Sequence, residues 1–246
     1  MQQGIHERTH PVTTAFCLET LSESVEYYKW IYELMRPHLG THVVELGVGI
    51  GNLTIHLLRD ERFVTGVDTD ERMIHSHRSR ISQSVQLHSE CVSLHQLSLR
   101  PNYAGRFDSV VSSNVLEHVS DDLELEVVKA SFDLLRPGGY SMHWVPAFQS
   151  IFGSLDRTFS HQRRYKRAQL RTLFKRAGFE ILSCEHWNMI GFFGWWFAGR
   201  VLGATELSPR TVATFDRYAV PLVRRIEPWM WRPFGQSIFI VARRPL

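Results

Sequence analysis

The segment Glu45-Leu46-Gly47-Val48-Gly49-Ile50-Gly51-Asn52 constrains the fold more than any other stretch of the 246 residues. It follows a compact β-branched run, His42–Leu46, and precedes Leu53, Leu57 and Leu58 at helical spacing. Glycines between a strand and a helix mark a backbone that turns sharply and lets another group approach the main chain. Such a unit opens a doubly wound sheet, whose ligands bind at the carboxyl ends of the strands. A dinucleotide fingerprint spaces its glycines as G-x-G-x-x-G. Here the third glycine follows the second by two residues and Asn52 stands at the expected position, which disfavours a nicotinamide or flavin site.

Asp68 ends the next strand signal, in VTGVDTD, twenty-one residues beyond Gly47. A carboxylate there can accept two hydrogen bonds from a ribose diol. Each feature alone is weak, and a capping Asp beside a glycine turn is the bland alternative. In this order and spacing they point to a nucleoside cofactor.

The remaining pattern extends the same architecture. Strand signals at 63–67, 85–88, 108–111, 140–145, 179–184 and 237–242 alternate with helical segments at 25–39, 71–80 and 167–177. A further helix is expected from Asp121, which stands three residues before Glu124 as in a capping box, with Leu123, Val127, Ala130 and Leu134 on its apolar face. Pro137-Gly138-Gly139 should end it. The expectation is an α/β, doubly wound, seven-stranded and mostly parallel sheet, its last strand inserted antiparallel. The roughly fifty residues before that strand are too many for a loop in a compact domain. They hold Phe192, Phe193, Trp195, Trp196, Trp229 and Trp231, and read as an aromatic-rich cap over the active-site edge. The glycines within 187–199 argue against one regular helix there. One domain is expected: an N-terminal helical segment to residue 40, a cofactor-binding core over 41–187, a cap over 188–236 and a last strand over 237–246.

ELGVGIGN, GVDTD, FDSVVSSNVLEHV and LLRPGGY, in that order, resemble the successive motifs of class I S-adenosylmethionine-dependent methyltransferases of the type 11 and type 12 groups. The resemblance covers about residues 40–185 and implies a Rossmann-like sheet with S-adenosyl-L-methionine as cofactor and S-adenosyl-L-homocysteine as product. It implies that Glu45, Gly47, Gly49, Gly51 and Asn52 line the methionine end. Asp68 would hold the ribose, with Thr69 beside the adenine. Family members often place an Asp after the third strand to meet the adenine amino group; this sequence has Ser89-Glu90-Cys91, so Glu90 and the Cys91 amide take that expectation. Asn114 would sit near the methyl group.

The cofactor carries its own electrophile, so the protein positions and desolvates, and an oxygen acceptor invites a base. His118, four residues after Asn114, is the first candidate; the alternative is that Glu117-His118 orients a loop. His161 is the second, within a cluster of Asp156, His161, Arg163, Arg164 and Tyr165 after the fifth strand. This cluster either faces the acceptor, with an Arg available to an anionic group, or ties the cap to the core by salt bridges. Asn188 and Trp195 complete the candidate acceptor residues.

The chain from residue 157 onward carries a charge balance of +11 against +3 overall. That asymmetry suits an anionic substrate, an anionic membrane surface, RNA, or merely a solvated surface. An Asn/Asp-Pro-Pro-aromatic motif would suggest base methylation, but Ser113-Asn114-Val115-Leu116 stands in its place, so no DNA partner is expected and RNA is disfavoured. Three scattered cysteines indicate no disulfide framework, and scattered histidines without CxxC or HExxH spacing indicate no metal site. The start, MQQGIHERTHPVTT, does not read as a signal peptide, and Trp187–Gly199 is too short to span a bilayer, so a cytoplasmic location is expected. The functional expectation is methyl transfer to an oxygen, or less readily a nitrogen or carbon, of a small or lipid-linked metabolite, with peripheral membrane contact through the cap left open. The alternatives are a cyclase or non-methylating binding module on the same scaffold, or an RNA methyltransferase. Oligomeric state is not legible.

Overall fold

The computed structural model describes residues 24–81 and 84–246; the start of the chain and Cys17 lie outside the described residues. Seven strands form one sheet in the order β3-β2-β1-β4-β5-β7-β6. They are β1 (His42–Leu46), β2 (Phe63–Asp68), β3 (Leu87–Cys91), β4 (Phe107–Ser113), β5 (Leu135–Pro146), β6 (Glu180–Trp187) and β7 (Ser237–Arg243). Strands β1 to β5 pair in parallel, and β7 lies antiparallel between β5 and β6. This is the Rossmann-like, doubly wound arrangement expected from the alternation of strand and helix signals.

The helices are α1 (Val25–Met35), α2 (Thr54–Arg59), α3 (Glu71–Arg80), α4 (Leu94–Ser98), α5 (Glu124–Leu134), α6 (Ser154–Thr158) and α7 (Arg167–Arg176), followed by α8 (Met189–Trp196), α9 (Pro209–Thr214) and α10 (Val220–Ile226). Both faces of the sheet are covered. Val43 and Val44 are neighbours in β1, point to opposite faces and are both fully buried. One core packs Leu94, Leu97, Leu134, Leu170 and Phe174 against Val44, Val110 and Ile240. The other packs Trp30, Ile31, Leu57 and Val223 against Val43, Trp144 and Phe239. Burial on both faces is why the central strands read as continuous apolar runs.

Three local expectations are corrected. Helix α5 begins at Glu124 with no side-chain cap; Asp121 lies outside it and pairs with Arg163 at 2.7 Å. Its buried residues are Val128, Ala130, Ser131 and Leu134, and Leu123 faces out. The helix ends at Leu134, before Pro137-Gly138-Gly139, which belongs to the twelve-residue β5. The third strand starts at Leu87, and Val85 is fully exposed.

Between β6 and β7 the chain is helical but irregular. Helix α8 runs into a π-helical turn at Phe197–Val201, and a second π-turn at Phe215–Ala219 links α9 to α10. The first half lies on the segment after β5, where the Ser154 hydroxyl donates to the Gly199 carbonyl at 3.0 Å. The second half packs beside α1: Asp216 accepts from the Glu26 and Tyr27 amides, both at 2.8 Å, and so caps that helix from 190 residues away. Among the described residues no helix is long and apolar enough to cross a membrane.

Candidate active site

The β1–α2 turn forms as its glycines require. The Gly47 and Val48 amides both donate to the Val67 carbonyl, at 2.8 and 3.2 Å, folding the turn over the end of β2. Gly47 has φ +71°, and a Cβ there would stand 2.4 Å from Val115 Cγ2. Gly49 has φ +50° and open space where a Cβ would be, so the apex of the turn is accessible to a ligand. The Gly49 amide donates to Asp68 Oδ2 at 3.1 Å, and Asp70 donates to Oδ1 at 3.0 Å. Asp68 therefore joins the turn to the end of β2. Burial raises its pKa, with these amides pulling the other way.

Behind the turn runs a buried polar chain that sequence reading did not anticipate. The Thr54 hydroxyl donates to Glu45 Oε2 at 2.6 Å. It therefore accepts from His77 Nε2 at 3.0 Å, and His77 Nδ1 is left to accept from the Ser89 hydroxyl at 3.1 Å. Burial pushes the Glu45 carboxyl up to about 8, against the Thr54 hydroxyl, which lowers it. Burial, and then Arg78, bring His77 down to about 4. Among the described residues no cationic side chain offsets Glu45, although it is almost fully buried.

At the carboxyl ends of β4, β5 and β6 stand three non-glycine residues in the left-handed region: Asn114 (φ 54°), Phe148 (φ 63°) and Asn188 (φ 64°). Such conformations are uncommon, most of all for a bulky residue such as Phe148, and they gather at functional sites. The Asn114 amide donates to the Trp144 carbonyl at 2.8 Å, which fixes the β4 exit. From α1, Tyr27 and Tyr28 reach the same edge. Tyr27 Oη accepts from Trp144 Nε1 at 2.8 Å and faces Asn114 and Ser237. The Tyr28 hydroxyl bonds Asn52 and lies in the field of Glu45 and Glu117.

The short helical turn after Asn114 brings Glu117 and His118 together with His161. His161 Nδ1 lies 2.9 Å from Asp156 Oδ1, and its Nε2 lies 3.8 Å from Glu117 Oε1. The His118 and His161 rings meet edge to face at 5.0 Å. Glu117 is fully buried, and among the described residues neither of its oxygens has a hydrogen-bond donor. Burial pushes its carboxyl up to about 7, with His161 drawing it down. Asp156 is the opposite case. Burial works against its charge, but His161, Arg164 and Trp195 outweigh it and hold the carboxyl down to about 2.

The other expected residues divide by burial. Arg164 is buried, pairs with Asp156 at 2.7 Å and reaches the Ala147 carbonyl. Trp195 donates from its indole to Asp156 Oδ2 at 3.0 Å and lies under the Arg164 guanidinium. This cluster ties cap to core, as the bland alternative has it. Tyr165 is fully buried, with its hydroxyl engaged by the Leu116 carbonyl and Glu124. Asn188 is buried too; it caps α8 through Gly191 and bonds Gln236. The polar atoms of both side chains are thus engaged within the protein. Arg163 binds the Val119 carbonyl and pairs with Asp121 and Glu124. At the β2–β3 edge, Thr69 is exposed, and Cys91 Sγ points to its carbonyl at 3.8 Å. Glu90 is bound by Arg100 through both oxygens, at 2.7 and 2.6 Å, so an adenine contact would compete with that pair.

Residues 44–141 match the family model described as a methyltransferase domain. The Bordetella avium ubiquinone biosynthesis O-methyltransferase is 31% identical over 113 residues, 46% of this chain and 45% of that protein. An uncharacterized methyltransferase of a Geobacillus strain is 26% identical over 177 residues, 66% of this chain and 81% of that one. In the first group of relatives the match spans a little under half of their length. Among solved structures, a SAM-dependent methyltransferase from Archaeoglobus fulgidus superposes with a TM-score of 0.58 at 16% identity, over 88% of this chain and 94% of that one. Residues 44–141 thus match a methyltransferase domain, and the chain has the fold of S-adenosylmethionine-dependent methyltransferases.

In this methyltransferase domain the glycine turn and Asp68 were legible because strained backbone demands glycine and a strand-end carboxylate is conspicuous. Glu117 was harder to find, being one acidic residue in a loop whose burial depends on tertiary packing. His77 lies mid-helix with nothing nearby in sequence to show that it faces Thr54. Tyr27 and Tyr28 stand on a helix whose docking depends on Asp216, far along the chain.

Proposed function

We propose that the protein transfers a methyl group from S-adenosylmethionine to an oxygen of a small or lipid-linked metabolite. The observation that carries the cofactor assignment is Glu45, a buried carboxylate with no cationic side chain beside an open glycine turn. The cofactor's ammonium and sulfonium groups would supply the missing charge, and Asp68 retains lone pairs for a ribose diol. When bound, the cofactor offers an electrophilic methyl whose bonding electrons remain on sulfur as the acceptor oxygen takes it. Asn114 and Tyr27 orient groups at the β4 edge, and Tyr28 limits water access there. Glu117, His118 and His161 form the corner that relieves the acceptor of its proton.

An oxygen acceptor is supported by the partial likeness to ubiquinone biosynthesis O-methyltransferases. A lipid-linked acceptor is supported by the cap surface, where Phe193, Trp196, Phe197, Trp229 and Trp231 are exposed. The open depression of about 410 Å³ lined by Arg163, Arg164 and Lys166 also holds Asp121, and both arginines are already paired with carboxylates, so it gives an anionic acceptor little support. The protein is a candidate for peripheral membrane contact, with no DNA partner.

The test is incubation with methyl-labelled cofactor and a panel of phenolic and hydroxylated acceptors, aqueous and vesicle-bound. Label found as an acid-stable methyl ether supports the reading. Label on nitrogen or carbon overturns the oxygen assignment, and no transfer by a cofactor-binding protein favours a non-methylating scaffold.

A further inference from the structure

The corner formed by Glu117, His118 and His161 has the makings of a metal site. Among the described residues, one atom from each of these side chains can be chosen so that all lie within 4.8 Å of one another. Nitrogen and oxygen ligands bind first-row divalent ions at about 2.0–2.2 Å and so stand roughly 3.0–3.4 Å from one another; Glu117 Oε1 and His161 Nε2, at 3.8 Å, are close to that spacing, and the set as a whole must draw in by up to about 1.5 Å on binding. Two histidines and one carboxylate on one face form a known set for such ions, one that leaves coordination positions open.

Three further observations favour a cation over an internal tie. Glu117 is fully buried, and among the described residues no donor serves either oxygen. A buried carboxylate in that state is costly unless something positive meets it. His161 Nδ1 bonds Asp156 at 2.9 Å; since Asp156 is an acceptor, Nδ1 carries the hydrogen and the Nε2 lone pair faces Glu117. His118 Nδ1 lies 3.3 Å from the Ser160 carbonyl, which can only accept, so its Nε2 lone pair is also available. Both imidazoles therefore have the outer hydrogen bond that fixes the tautomer of metal-ligating histidines. Asp156 is itself held by Arg164 at 2.7 Å and by Trp195 at 3.0 Å, so the His161 ring is oriented by a rigid support.

We propose that Glu117, His118 and His161 bind one divalent first-row transition-metal ion, such as Zn²⁺, Mn²⁺, Fe²⁺ or Co²⁺, and that this ion takes the acceptor oxygen on its open side. Such a site departs from the expectation of no metal and deepens the methyl-transfer reading, on which its catalytic part rests. A hydroxyl coordinated there loses its proton to solvent at a lower pH than it would in water, because the ion stabilises the oxyanion. No electron is gained or lost: an O–H bond breaks, the proton leaves, and the electron pair stays on oxygen. The two histidines then act as ligands, with no need for either to serve as the base.

The test is direct binding. The full chain, stripped with a chelator, is titrated with Co²⁺ and Zn²⁺ by calorimetry, and Co²⁺ by its visible absorption bands. The expected result is one site per chain that weakens at least tenfold in Glu117→Gln and in His161→Asn. His118→Gln, at an exposed ligand, guards against a folding failure in the buried variants and should weaken binding comparably. Cofactor affinity, measured alongside without acceptor, should be unchanged in His118→Gln. Absence of a one-to-one site in wild type, or binding unchanged in all three variants, overturns the proposal. Cofactor binding without metal binding would remove the metal alone. Metal binding without cofactor binding would support the site and remove the methyl-transfer reading beneath it.

Discussion

Glu45 is held by one hydroxyl. Thr54 donates to it at 2.6 Å and accepts from His77 on its other side. Thr54→Val keeps the shape and removes both bonds, leaving a buried carboxyl and a buried ring nitrogen unserved. Unserved buried polar groups cost about 1–3 kcal/mol each. The variant is expected to melt several degrees lower than wild type, with part of the loss recovered on adding cofactor; an unchanged melting temperature would mean that Thr54 does not support Glu45. At this scale the sequence was legible where backbone strain demands a residue type, as at Gly47 and Gly49. It was illegible where side chains far apart in sequence must face each other, as Thr54, His77 and Ser89 do. Glu90 looked available for adenine only because its pairing with Arg100, ten residues on, depends on how the β3–α4 connection folds.

Elements were read well where a buried strand or an amphipathic helix leaves a repeating pattern, and badly at their ends. The start of α5 was misplaced because Asp121 serves Arg163 rather than a helix terminus. Pro137-Gly138-Gly139 looked like a stop between elements, yet it lies within the long β5, whose pairing with β4 shifts register at Phe107 and Ser109. The dependence of α1 on a remote cap had no local signal. Asp216→Ala removes the acceptor for the Glu26 and Tyr27 amides, and loss of such a cap costs about 1 kcal/mol. Hydrogen exchange in α1 is expected to quicken while β1 and β4 keep their protection. Equal quickening throughout would show that α1 opens only with the whole fold.

For the molecule as a whole, buried titrating groups set opposite limits on stability. His143 is fully buried between the Ser112 and Ser141 hydroxyls, at 2.7 and 2.8 Å, and burial lowers it from 6.5 to about 3. His77 falls to about 4 in the same way. Both stay neutral in the fold and gain protons more readily when unfolded, so their contribution is intact above pH 6.5 and is lost as pH falls toward 4. Each adds a slope of at most about 1.4 kcal/mol per pH unit. Glu45 runs the other way. Its folded value of about 8 lies above the ordinary 4.5, so its contribution is present below pH 4.5 and lost as pH rises toward 8. Two histidines outweigh one carboxyl up to about pH 6.5 and only the carboxyl acts above it, so the melting temperature of the cofactor-free protein should peak near pH 6.5. A peak above pH 8 would contradict these assignments. The sheet order and its antiparallel last strand were legible at this scale because alternation of strand and helix leaves few topologies. The course of the cap was not, because its aromatic residues serve core and surface alike.

The central claim is that the glycine turn, Glu45 and Asp68 hold S-adenosylmethionine. Calorimetric titration of S-adenosylmethionine and S-adenosylhomocysteine into wild type and Asp68→Ala, without acceptor, tests it most directly. The expected result is one site per chain of about micromolar affinity, near −8 kcal/mol, weakened at least tenfold in the variant. Binding of neither ligand to folded wild type, or binding indifferent to Asp68, would contradict it.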